Sequence, residues 1–317
     1  MSQITYYNIY PFNAQRGFAD YLRSVYANFC IYHNKTQSDF NNTKYEILFN
    51  NGPLRTCFKE LALIGNIKEA DLNYSTKVNY YSLNGPELYS GNNPNHDSQL
   101  SPNINYQIMN NYRLYNVVDP FTTFYNKDHR HEFINFIEQR LSDKLKNIIN
   151  DYYLEYYKDK HVKAIHIRTG DYLYFKNPDI RITIPHAIDA LNKIINLDQF
   201  TNHKLLLFTD SQELKDHIKN DHQGLNNKII TFNNKPTHVA SNNIELDSVL
   251  YTIAEFFFFK YFDEIYVLPS IRISDRLKEN RMSTFPLLAA YLYDRKILKY
   301  DYLKNEFYEY KPVGLFN

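Results

Sequence analysis

Arg168 and Asp171 stand just past an apolar run, Val162 to Ile167, with Thr169 and Gly170 between them. An arginine fork can hold a phosphate through two parallel hydrogen bonds, and it stays charged at any working pH. Gly170 suits a sharp turn or a close approach of backbone to a ligand. Asp171 can cap the segment that follows or hold Arg168 in place. The chemistry on offer is anion binding, a phosphate above all. The plainer alternative is a strand end with an Arg168–Asp171 surface ion pair.

Such a set works only if something delivers it to one edge of the fold. The run Val162 to Ile167, broken once at Lys163, reads as a buried parallel strand. In open α/β sheets ligands sit just outside the carboxyl ends of the strands. His166, Arg168 and Asp171 are therefore expected to face a crevice. The sequence around them supports such a sheet. Strands are expected at Lys204–Phe208, Lys228–Phe232 and Ile265–Leu268. Helices are expected at Ile184–Leu197, Gln212–Asn220, Ile244–Phe262 and Thr284–Tyr293. Strands alternating with helices at short spacing mean a parallel sheet with crossover helices. Asp210 follows one strand, as a helix cap or a ligand contact. Ser283, Thr284 and Phe285 open the late helix, whose first N–H groups can hold a diphosphate; the alternative is an ordinary N-cap.

The first half opens with a strand, Ile4 to Tyr10, and a loop containing Gly17. A helix from about Phe18 to Tyr32 follows, with Ala19, Leu22, Tyr26, Phe29 and Cys30 on one face. The loop is not G-x-G-x-x-G, so a dinucleotide site is not supported, and a P-loop is absent as well. A strand over Tyr45–Phe49, a helix over Leu54–Ile64 and a strand near Leu114–Val118 are expected. Gly65 to Ser101 is loop-rich. His129 to Tyr157 reads as one long helix, its apolar residues repeating at three and four. His131-Glu132 lacks the second histidine of H-E-x-x-H, so no metal is expected there.

Composition removes several classes. At 317 residues the chain is long enough for two domains. A 44% hydrophobic content supports a packed core rather than disorder. A net charge of +1 argues against a dedicated nucleic-acid binder. The two cysteines, Cys30 and Cys57, suit neither a disulfide framework nor a zinc site. No signal-peptide or membrane-spanning pattern is read, and Glu255 and Lys260 interrupt the longest apolar stretch. A soluble, cytoplasmic protein is expected. Abundant Tyr, Asn, Ile and Lys reflect an AT-rich genome, as in a large DNA virus or a bacterium.

His166-Ile167-Arg168-Thr169-Gly170-Asp171 resembles the H-x-R-x-G-D signature of the fucosyltransferase superfamily, which includes α1,2-, α1,6- and protein O-fucosyltransferases. Three companions resemble the family in its order: the loop around Gly17 and Asp20 before Leu22-Arg23, then Phe208-Thr209-Asp210, then Ser283-Thr284-Phe285. Two features depart from it. Thr169 stands where the α1,2 group commonly has a second arginine, and Pro269 to Arg281 is longer and more charged than usual. The resemblance implies a GT-B-like α/β fold of two Rossmann-like domains facing a cleft. These would be residues 1–157, on the acceptor side, and 158–317, for the donor, with a last helix able to pack back on the first. It implies an inverting, metal-independent fucosyltransferase with GDP-fucose as donor substrate, no cofactor, and a glycan or protein acceptor. Donor contacts would be Gly17, His166, Arg168, Gly170, Asp210, Ser283, Thr284 and Phe285, with Arg168, Asp20 and Asp171 catalytic. The alternatives are another nucleotide-sugar donor, or an inactive nucleotide- or glycan-binding protein of the same fold.

Overall fold

The computed structural model describes residues 4–9, 18–19, 22, 25–26, 29, 43–48, 54–59, 112–115, 129–169, 182–221, 224–237, 246–270 and 282–310. The chain divides into two compact units, Met1–Ser142 with Pro312–Asn317, and Asp143–Lys311.

In the first unit, β1 (Ile4–Ile9), β2 (Thr43–Leu48) and β3 (Tyr112–Tyr115) form a parallel sheet in the order β2-β1-β3. Phe18, Ala19, Leu22, Val25, Tyr26 and Phe29 are helical and buried. Their spacing of three and four puts them on one face, as expected. Tyr26 and Phe29 meet Phe133 of helix α1 (Arg130–Gln139) at ring distances of 4.8 and 5.3 Å.

Two expected helices are corrected here by one contact. The described part of the Leu54–Ile64 helix is a single 3-10 turn, Arg55–Cys57, after which Phe58 is extended. The expected long helix from His129 is broken between α1 and α2 (Asp143–Tyr152), and it closes with a π turn over Tyr153–Tyr157. The chain at Arg140–Ser142 pairs instead with Cys57–Lys59. Lys59 N donates to Arg140 O at 2.7 Å and Ser142 N to Cys57 O at 2.9 Å, while Ser142 Oγ donates to Thr56 O at 2.8 Å. Backbone groups engaged in that bridge cannot continue an i to i−4 ladder.

The second unit is a six-stranded sheet with helices on both faces. Its strands are β4 (Val162–Ile167), β5 (Lys204–Thr209), β6 (Ile229–Thr231), β7 (Glu264–Leu268), β8 (Lys296–Asp301) and β9 (Glu306–Glu309). Their order is β6-β5-β4-β7-β8-β9, parallel throughout except for the β8–β9 hairpin. From β4 the chain winds outward through β5 to β6, then returns to the other side of β4 as β7. The point of reversal lies between β4 and β7, where doubly wound sheets leave a crevice at the carboxyl ends.

Alternation along the strands decides which helices lie where. Ile165, Ile167, Leu205, Leu207, Tyr266 and Leu268 pack with α3 (Ile184–Ile194) and α4 (Gln212–Lys219). The opposite face carries Phe208, stacked on Phe259 at 4.1 Å beyond the end of α6 (Leu246–Phe258). Between α4 and β6 lies a single helical turn, α5 (Leu225–Lys228). The late helix α7 (Thr284–Tyr293) ends at Asp294, in the left-handed conformation with φ 57°. β8 and β9 were not expected, since lysines at Lys296 and Lys299 hide the apolar alternation. Their turn is written locally: Asp301 Oδ1 accepts from the N–H groups of Leu303 and Lys304 at 2.9 and 3.2 Å, and Asn305 takes φ 54°.

Candidate functional site

β4 runs into Arg168 and Thr169 at the point of reversal, and β5 delivers Asp210 beside them. Thr169 N donates to Asp210 Oδ1 at 3.0 Å, and Arg168 Nε lies 3.7 Å from Asp210 Oδ2. Both ion-pair side chains are under a third exposed, at 27% and 30%. That leaves the guanidinium reachable from solvent yet oriented by a carboxylate. The Arg168 partner shown by the structure is thus Asp210, 42 positions along the chain. Asp171, Gly170, Gly17 and Asp20 lie outside the described residues.

His166 points from the same strand end onto the α6–α7 face and is buried. Its ring lies 6.2 Å from that of Phe285, tilted by 32°. Burial first, and then the Arg168 charge, push its pKa down to about 3. The imidazole is therefore neutral at any physiological pH. Its buried Nδ1 has no hydrogen-bond partner among the described residues. A buried polar atom left unpaired costs about 1–3 kcal/mol, unless an incoming group satisfies it.

The helix α7 begins across the point of reversal from Arg168. Ser283 is its N-cap, with its Oγ accepting from Phe285 N at 3.4 Å. The first turn of this helix carries no acidic residue. A helix start directs N–H groups and the positive end of its dipole outward, and the first turn itself supplies no carboxylate to neutralise them. Thr284 and Phe285 are half-buried. The flanking chain is pinned where it leaves β7: Tyr302 Oη donates to Pro269 O at 2.8 Å, and Ile182 N to Ser270 O at 3.0 Å. Arg168, Asp210, His166 and the Ser283–Phe285 helix start therefore converge at one end of one sheet.

A cavity of about 800 Å³ opens at the other end of that sheet, lined by residues including Lys163, His203, Glu264 and Lys296. These sit at the amino ends of the strands, a strand length away from Arg168. The cavity belongs to no motif, and the strand-end argument favours the Arg168 end.

The sequence reading missed a buried polar cluster beside the site. Glu255 on α6 and Lys215 on α4 are both buried. Asn234, in the turn after β6, donates through Nδ2 to Glu255 Oε1 at 3.0 Å and accepts Lys215 Nζ at its backbone carbonyl at 2.8 Å. The hydroxyl of Tyr152 donates to Asn234 Oδ1 at 2.9 Å. The available signal was the single carboxylate of Glu255 inside the apolar run Ile253–Phe259. Among the described residues, no group of three His, Cys, Asp or Glu side chains is arranged to hold a metal. No helix among them is long and apolar enough to cross a membrane.

No protein-family model matches the chain, and no curated protein does. Solved structures do. The NodZ α1,6-fucosyltransferase co-crystallised with GDP is 13% identical, with a TM-score of 0.53 over 95% of this chain and 96% of that one. NodZ soaked with GDP-fucose is 14% identical, with a TM-score of 0.53 over 98% and 99%; NodZ structures of the Bradyrhizobium protein are also similar. A mutant of Arabidopsis thaliana FUT1 in complex with GDP is 11% identical, with a TM-score of 0.52 over 95% of this chain and 71% of that one. The likeness, near full length at such low identity, establishes the fold: mixed α/β of the GT-B type found in these fucosyltransferases.

Proposed function

We propose that this chain is a glycosyltransferase that binds a nucleoside diphosphate sugar at the Arg168 end of the second unit, with GDP-fucose as its donor. The observation that carries the reading is the convergence of Arg168, oriented by Asp210, with the Ser283-capped start of α7 at the point of reversal of a doubly wound sheet. The fold likeness to proteins co-crystallised with GDP, soaked with GDP-fucose or in complex with GDP supports the choice of donor.

The chemistry follows from charge. In the reaction the acceptor oxygen bonds to the anomeric carbon on the face opposite the diphosphate, so the sugar's configuration inverts. The bond from that carbon to the phosphate oxygen breaks, and its electron pair goes to the departing GDP. The hydroxyl proton passes to a base. Negative charge grows on the diphosphate as the bond breaks. An arginine and a helix start aimed there are worth more in the transition state than in the ground state. Both supply that stabilisation without a metal ion. His166, neutral and buried, serves as a hydrogen-bonding group for the donor rather than as a charged acid. Asp20 and Asp171 are the candidate bases, and Gly17 and Gly170 would let backbone approach the donor. The first unit would take the acceptor, a glycan or a protein hydroxyl.

The test is calorimetry with GDP, GDP-fucose, GDP-mannose and UDP-sugars in EDTA, on the wild type and Arg168→Ala. Binding of GDP and GDP-fucose without metal, lost in the variant, is the expected result. Preference for UDP would overturn the donor assignment. GDP-fucose bound tightly but neither hydrolysed nor transferred to any acceptor would favour an inactive binding protein of this fold. No nucleotide binding at all would reduce Arg168 to a strand end with an ion pair.

A further inference from the structure

Beside the site lies the buried cluster around Asn234, which the proposed reaction does not use. β6 has only three residues and is the edge of its sheet. The turn that leaves it, Phe232 to Thr237, pairs with no strand among the described residues. Side chains do so instead. Lys215 Nζ donates to Asn234 O at 2.8 Å. The Asn234 amide is used at both ends, by Glu255 of α6 and Tyr152 of α2. Thr252 Oγ1, one turn before Glu255, donates to Thr237 O at 3.1 Å. Three helices thus hold one turn. A buried ion-bearing network is rarely the cheapest way to stabilise a core; an apolar set of the same volume often does as well or better. What such a network supplies is a single defined geometry for the groups it binds.

The strand order shows what that geometry could serve. A diphosphate held by Arg168 and α7 sits between β4 and β7. The nucleoside attached to it can run along the strand ends in either direction. On the β8 side, Tyr302 closes onto Pro269 at the end of β7. On the other side come Asp210 at the end of β5 and then the Asn234 turn at the end of β6. At ~4.8 Å per strand, that turn is roughly 10 Å from Arg168, a distance suited to the nucleoside rather than the phosphates.

We propose that Asn234, fixed by Lys215, Glu255 and Tyr152, is a positioning residue for the nucleoside half of the donor, holding the Phe232–Thr237 turn as the base-side wall of the site. The proposal rests on the donor site set out above and adds to it a division of labour. Arg168 and α7 hold the phosphates, and the network makes the nucleoside count.

The division is measurable by comparing GDP with inorganic pyrophosphate. In the wild type GDP is expected to bind more tightly than pyrophosphate. Asn234→Ala is expected to weaken GDP by about tenfold while leaving pyrophosphate unchanged, and amide exchange over Asn233–Thr237 rises. Arg168→Ala weakens both ligands. Lys215→Met, which removes the bond to the Asn234 carbonyl and fills the space with an apolar chain, is the second variant should Asn234→Ala not fold. It too must lower the GDP-to-pyrophosphate ratio. A ratio equal to that of the wild type in the variant that folds, or equal losses for both ligands, overturns the positioning role and leaves the donor site standing. A wild type that binds neither ligand overturns the donor site itself, and the positioning role with it.

Discussion

Glu255→Gln probes the buried cluster through stability rather than binding. The Glu255 carboxyl is 5% exposed. Burial raises its pKa from 4.5 to about 7, against the opposing pull of the Lys215 charge and the Asn234 hydrogen bond. The groups facing it are Lys215 from α4, Asn234 from the β6 turn, and Tyr152 and Tyr156 from α2 and its π turn. Between pH 4.5 and 7 the native state holds a proton that the unfolded chain has released. This group's contribution is therefore complete below pH 4.5 and is lost as pH rises through 7. The shift corresponds to about 3 kcal/mol. Glutamine keeps an oxygen for Asn234 Nδ2 and cannot ionise. The stability of the variant relative to wild type should then improve by about 3 kcal/mol on going from pH 4.5 to 8. Lys215, whose pKa burial lowers, enters with the opposite sign, because there the unfolded chain binds the extra proton. Urea denaturation followed by circular dichroism at pH 5, 6, 7 and 8, with hydrogen exchange of β5 amides to report on the second unit, measures the difference. A gap that does not change with pH would mean that Glu255 is ionised throughout as the partner of Lys215, and the burial argument would fail.

Two further outcomes follow from the same packing. Ser283→Ala removes the N-cap of α7 and should cost about 1 kcal/mol; a loss of GDP affinity larger than that stability change, read by calorimetry, would mark the helix start as a phosphate contact. Phe208→Ala empties a fully buried position between Phe232 and Phe259 and should cost about 3–5 kcal/mol in denaturant unfolding; a cost under about 1 kcal/mol would mean that the aromatic face can collapse into the space.

Much of the second unit is legible in the sequence because its signals are local. The apolar runs at Val162–Ile167 and Lys204–Phe208 bury both faces of a strand, and Ser211 and Ser283 announce the helices that follow them. The structure places these elements within a residue or two of where their composition puts them. The grouping of Arg168 with a capped helix start is likewise readable, since both follow the rule that ligands meet strand ends. The acceptor side is not, because Gly65–Ser101 carries no pattern and lies outside the described residues.

Tertiary structure decided the rest, for reasons that no window of sequence contains. The helical periodicity from His129 to Tyr157 is real, yet pairing with Cys57–Lys59 interrupts it, and a contact across more than eighty residues overrides local propensity. Lys296 and Lys299 disguise β8, which is a strand because β7 offers it an edge. Spacing offers Asp171 to Arg168, and that residue lies outside the described ones; Asp210, 42 positions away, comes beside Arg168 because the parallel register of β4 and β5 brings their ends side by side. Glu255 looks like an interruption in an apolar helix until Asn234 and Lys215 close around it. Sequence determines which stretches can be buried and which residues carry charge. Only the folded chain decides which charges meet, because that depends on strand order, and strand order is a property of the whole sheet.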